Sequence, residues 1–234
     1  MAENYVGGMP GRKAERTAEP RKVLACGQGA LALPGGKVVD GSKSRDPLNA
    51  GDADVLRAGL LVGKIAASGK YAPGIVGVLA EAYDADGQTN TTLVVSAATA
   101  TEIARRIGAA GAFKVTGPPT PGGQVATETV TFTAVDPATG EVTIEAADND
   151  FIAGSFVQPA DGSETPRGLI ADGYGLKVTD ADGSSIDVPL ADLLIAGVVD
   201  AGQIVNYPSD ASLKAQVKSW LRAGGYAWSF DDDF

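Results

Sequence analysis

Arg57 to Tyr71 reads RAGLLVGKIAASGKY. Its apolar residues come in short pieces: Leu60, Leu61 and Val62, a break at Gly63, then Ile65 ahead of a Ser68-Gly69 turn. Apolar runs this short, bounded by glycines, suit buried strands better than a helix, which needs a longer sustained period. The stretch offers no nucleophile paired with a base, so its residues read as scaffold.

The rest of the composition agrees. The 31 Gly and 13 Pro of the 234 residues mostly separate short apolar runs, which favours a mainly β, turn-rich chain. An apolar share of 44% is enough to bury a core. No apolar run approaches the roughly 20 residues that span a bilayer. Residues 1–22 lack the apolar centre of a secretory signal. The expectation is a soluble protein folded in the cytoplasm of its host, with no membrane partner. Cys26 is the single cysteine, which excludes an internal disulfide and a thiolate metal cluster. The chain has no His, so the commonest general base and the commonest metal ligand are both missing.

Charge is unevenly placed. Residues 1–50 hold eight Lys/Arg against five Asp/Glu, whereas residues 51–234 hold eleven against twenty-four. The acidic body opposes phosphate, so no nucleic-acid partner is expected. Residues 1–50 are broken by Gly7-Gly8, Pro10-Gly11, Pro20, Pro34-Gly35-Gly36 and Pro47, and read as an extended arm. Arg12, Lys13, Arg16, Arg21 and Lys22 cluster on it, followed by the apolar Val23 and Leu24. These seven are the candidate contact residues, with strand addition to a partner's sheet edge as the mode.

Two Asp-x-Asp-Gly turns, at Asp84 and Asp180, invite a calcium reading. Counted from Asp84, however, the fifth position is Gln88 and the twelfth is Val95 instead of Glu, so plain turns are expected. Ser96 to Ala109 has helical period through Ala100, Ile103 and Ile107, giving a helix over 97–109 with Arg105 and Arg106 facing solvent. Residues 127–146 form the clearest hairpin. Val130, Phe132 and Ala134 alternate with Thr129, Thr131 and Thr133 around a Gly140 turn. A final helix runs from Asp210 to Ala223 behind a Ser209 cap, with Leu213, Val217, Trp220 and Leu221 as its buried stripe. Residues 226–234, YAWSFDDDF, either dock on a basic neighbour or trail in solvent.

Three sets of residues resemble the phage head decoration proteins of the lambda D-like family. The first is Arg57-x-Gly59, Gly63-Lys64-Ile65 and Ala67-Ser68-Gly69-Lys70-Tyr71-Ala72-Pro73. The second is Asp161-Gly162-Ser163-Glu164-Thr165-Pro166-Arg167-Gly168-Leu169-Ile170, and the third is Ala191 to Val199. The resemblance covers about residues 54–80 and 157–224. In compact family members the first two sets lie close together, whereas here Pro73 and Asp161 stand 88 positions apart. The resemblance therefore implies a small β-clip-like core from 51–80 and 157–234, split by an inserted α+β subdomain over 81–156 and closed by a C-terminal helix. Loop-closure cost grows only logarithmically with length, so such an insertion is compatible with an intact parent core.

The same resemblance implies a structural role: a homotrimer bound to the major capsid protein on the outer surface of the virion, reinforcing the head. Neither catalysis nor a cofactor is expected. Gly59 to Lys64 has three residues, not four, between its glycines, and Ile65 stands where a P-loop needs Ser or Thr. No Gly-x-Ser-x-Gly elbow occurs, and without His no Ser-His-Asp triad can form. The alternative is a virion-surface module that binds a host glycan or receptor through the inserted subdomain and its threonine row.

Overall fold

The computed structural model describes residues 22–33, 37–49, 51–190, 193–225 and 227–233. Sixteen strands and two α-helices follow in chain order: β1 (Leu24–Leu33), β2 (Lys37–Val39), β3 (Val55–Leu56), β4 (Leu61–Lys64), β5 (Tyr71–Pro73), β6 (Gly77–Val78), β7 (Thr92–Val94), α1 (Ala97–Arg106), β8 (Gly111–Gly117), β9 (Ala126–Val135), β10 (Glu141–Ile144), β11 (Phe156–Pro159), β12 (Pro166–Ile170), β13 (Leu176–Lys177), β14 (Val188–Leu190), β15 (Leu193–Val199), α2 (Ala211–Arg222) and β16 (Trp228–Phe230). The protein is mainly β, with one helix near its C-terminus.

The strands divide into two principal sheets. The first has the order β1-β15-β12-β4-β5-β2-β14, with β16 added beside β15. The second has the order β6-β11-β8-β9-β10-β7 and is drawn entirely from residues 77–159. β3 and β13 make a separate two-stranded ribbon. Each principal sheet has its own apolar filling. Phe113, Val115, Val130, Phe132, Val142 and Ile144 pack under α1 through Ile103 and Ala100. Leu61, Leu169, Leu194 and Val199 pack under α2 through Leu213, Val217 and Leu221. β11 divides its side chains between the two. Val157 joins the second sheet's core, while Phe156 turns into the first and meets Trp220 at 5.6 Å between ring centres.

Residues 22–49 do not form a free arm. β1 pairs along β15, and β2 lies between β5 and β14. The arm reading rested on Gly and Pro spacing; it undervalued the strand residues Leu24, Val38 and Val39 and the buried Val23 just before β1. Between the two sheets, Ile75 and Val76 are buried outside any strand, and Gly77–Val78 opens the second sheet as β6.

The expected helix at 97–109 stops at Arg106, with Ile107 as its C-cap and Gly108 following at φ +124°. Ser96 caps its start, accepting from the Thr99 amide at 3.1 Å. The C-terminal helix is capped by Asp210, not Ser209. The Asp210 carboxylate accepts from the Ser212 and Leu213 amides at 2.9 and 3.1 Å, positions that Ser209 precedes by one residue too many. The hairpin forms over 126–144, but Ala134 is exposed. A bulge between the Thr143–Ala134 and Ile144–Phe132 pairs breaks the alternation and turns Val135 inward in its place.

Candidate functional site

The first two of the three sets that carry the family resemblance lie side by side. β4 runs antiparallel to β12, with Leu61 opposite Leu169, Val62 opposite Gly168 and Gly63 opposite Pro166. The turn before β12 folds over β4, and the Ala66 amide donates to the Asp161 carbonyl at 2.9 Å. A Cβ on Gly63 would stand 2.0 Å from the Ser163 carbonyl oxygen, so that approach needs glycine.

The turn is also gripped from the second sheet. Arg106, at the end of α1, donates from Nη1 to the Pro73 carbonyl at 2.7 Å and from Nη2 to Ser163 Oγ at 2.6 Å. The same nitrogen lies 3.1 Å from Asp161 Oδ2. Lys114 on β8 pairs with Glu164 at 2.8 Å, and Gln158 on β11 donates to the Glu164 carbonyl at 2.8 Å. The expectation of a solvent-facing Arg106 is overturned, because its guanidinium is 1% exposed. Arg105 stays near the surface, paired with the buried Glu102 at 2.6 Å. Burial pushes the Arg106 guanidinium below its usual range. Burial would raise Asp161, but the Arg106 charge and the hydrogen bonds from Ser163 outweigh it and hold the carboxyl below the usual carboxylate range.

Arg57, the first residue of the opening stretch, makes a forked contact with Asp46, Nε to Oδ2 at 2.6 Å and Nη2 to Oδ1 at 2.9 Å. Asp46 lies in the stretch read as an arm, and its side chain is 1% exposed. Sequence reasoning missed the Arg57–Asp46 and Arg106–Asp161 pairs. Each joins residues whose spacing in the chain carries no signal, Asp46 with Arg57 and Arg106 with Asp161.

Of the candidate contact residues, Arg12, Lys13, Arg16 and Arg21 lie outside the described residues. Lys22 is exposed, Val23 is buried and Leu24 is half-buried at the start of β1. The three line a shallow depression with Ala171. Val23 is a core residue; its carbonyl accepts from the Asp200 amide at 3.0 Å. β1 is the outer strand of its sheet and carries no charged residue or proline in ten positions. The other terminal strands, β14, β6 and β7, have only two or three residues each.

Both Asp-x-Asp-Gly segments are turns closed on themselves. Asp84 accepts from the Asp86 amide, and Asp180 accepts from the Asp182 and Ser184 amides. Among the described residues no group of three or more His, Cys, Asp or Glu is arranged to hold a metal ion, and no helix is long and apolar enough to cross a membrane. Thr127, Thr129, Thr131 and Thr133 are all exposed along β9. The acidic C-terminal segment docks on the protein's own basic helix: Lys218 reaches Asp232 at 2.8 Å and Asp233 at 2.5 Å. Compared with family models, curated proteins and solved structures, the chain matches none.

Proposed function

We propose that this protein is a capsid decoration protein, binding the outer surface of an assembled phage head as a homotrimer on the major capsid protein and stabilising it without chemistry. The observation that carries the reading is the meeting of β4 with the Asp161 turn and β12. Two stretches resembling one family signature, far apart in sequence, form adjacent parts of one sheet. The long uncharged edge of β1 supports strand addition as the mode of attachment, with the basic residues 12–22 immediately before it. Three copies bound together hold a lattice far more tightly than one, because each later contact is made at high effective concentration.

The test is co-sedimentation of purified protein with expanded heads of the phage that encodes it. Saturable binding at a fixed ratio to the capsid protein is the expected result, weakened by deletion of residues 1–21. Absence of binding to these heads overturns the reading. The exposed threonine row of β9 favours a second reading, recognition of a host glycan by the second sheet. A glycan array probed with the full chain checks it, and silence there together with head binding removes it.

A further inference from the structure

The C-terminal segment, unassigned by the decoration reading, is held by three different kinds of contact. Its backbone adds β16 parallel to β15, Trp228 opposite Gly197 and Phe230 opposite Val199. Its aromatic side chains Trp228 and Phe230 enter the core under α2. Its carboxylates meet a row of cations on α2. Besides the Lys218 contacts, Arg222 reaches Asp233 at 2.8 Å, and the Tyr207 hydroxyl donates to Asp232 at 2.9 Å. Lys218 and Arg222 also lie 5.2 and 5.3 Å from the Phe230 ring centre. Added strand, aromatic sockets and charge recognition are the components of a peptide-binding site.

Every one of those receiving groups precedes Gly224 in the chain, and the segment follows Gly224-Gly225, where Gly225 takes φ +78°. The segment is thus a ligand tethered through a two-glycine hinge. Its strand pairing extends over only three residues. Trp228 Nε1 is buried without an acceptor among the described residues, a cost that lowers the stability of the docked state. Short segments held by so few strand pairs open without unfolding the rest.

We propose that β15 and α2 form a binding site for an acidic, aromatic strand, which residues 227–233 occupy in cis and the same segment of a second copy can occupy in trans. Exchange of an identical segment preserves every contact and needs only the hinge to redirect the chain. This inference is independent of the decoration reading.

The test uses the full-length chain and a fluorophore-labelled synthetic peptide of residues 226–234. Uptake of the peptide, followed by anisotropy and competed by unlabelled peptide, is expected. Hydrogen exchange provides the second measurement. The Gly197 amide donates to the Ala227 carbonyl and the Ala201 amide to Asp231 Oδ1, so both report opening of the segment. The Gly59 amide, bonded to Ile170 in the same sheet, reports the body. Exchange at Gly197 and Ala201 at least about tenfold faster than at Gly59 is expected, and faster still in Asp232→Asn/Asp233→Asn. Failure of the native chain to take up the peptide, or exchange at Gly197 and Ala201 only at the Gly59 rate, overturns the proposal.

Discussion

Arg106 and Asp161 stand 3.1 Å apart, the guanidinium sealed at 1% exposure and the carboxylate open at 29%. This pair ties the helix of the second sheet's layer to the turn that overlies β4 in the first. Together with Lys114–Glu164 and the Gln158 bond, it makes the segment between the two halves of the first sheet a brace on that sheet, not an appendage.

Removing one partner of a buried pair costs about 3–5 kcal/mol, and the partial exposure of Asp161 brings the expectation to about 2–4 kcal/mol for Arg106→Met. Asp161→Asn leaves the buried cation without its counter-charge and is also destabilising. Urea unfolding of both single variants and the double variant is expected to show a double-variant loss smaller than the sum of the singles. Additive losses would dissolve the coupling.

The acid limb of stability follows from the same pair. Asp161 has a folded-state pKa below its unfolded value, so its contribution is full above the ordinary carboxylate range and is lost as pH falls through the lower folded value. Stability is expected to change little through this group between neutrality and about pH 5, then to fall below about pH 4. Thermal melts of native protein and Asp161→Asn across that range are expected to converge at the acid end.

Arg57→Lys keeps the charge on the opening stretch but loses the forked geometry toward Asp46. With the Asp46 side chain 1% exposed, a poorly satisfied carboxylate is left behind. The expected loss is about 1–3 kcal/mol, read from the denaturant midpoint.

Gly63→Ala places a methyl 2.0 Å from the Ser163 carbonyl and forces the turn off β4. A loss above about 2 kcal/mol, or failure to accumulate folded protein, is expected. Gly87→Ala, at φ +63° with nothing within 4 Å of the new carbon, is expected to cost only about 1 kcal/mol.

Deletion of residues 1–50 removes β1 and β2 together with Asp46, and is expected to abolish the cooperative unfolding transition in circular dichroism. A folded product with an unchanged melting temperature would contradict the sheet order.

Much of the β character was legible because the cue is local. Short apolar runs between glycines, the Thr-alternating hairpin around Gly140 and the i, i+4 stripe of α2 each declare themselves within a dozen residues. What failed did so where the deciding contact was distant. Arg106 reads as a solvated helix residue until the Asp161 turn arrives against it. Ala134 is the local exception, because the alternation reads as unbroken until the bulge between the Thr143 and Ile144 pairs shifts the register. The stretch 22–49 reads as an arm because Gly and Pro break its apolar residues into short pieces, yet β15 and β5 supply the strands that it pairs with.

By itself the sequence determined the mainly β character, the two helices and the turn residues, since these follow from backbone preference and the period of apolar side chains. It also determined that residues 226–234 combine aromatic and acidic side chains. Only the tertiary structure decided which cations and carboxylates are buried together, and that residues 227–233 lie on α2 beside β15. The physical reason is that charge pairing and strand pairing depend on distance in space, and a linear spacing of 55 residues between Arg106 and Asp161 does not encode a separation of 3.1 Å.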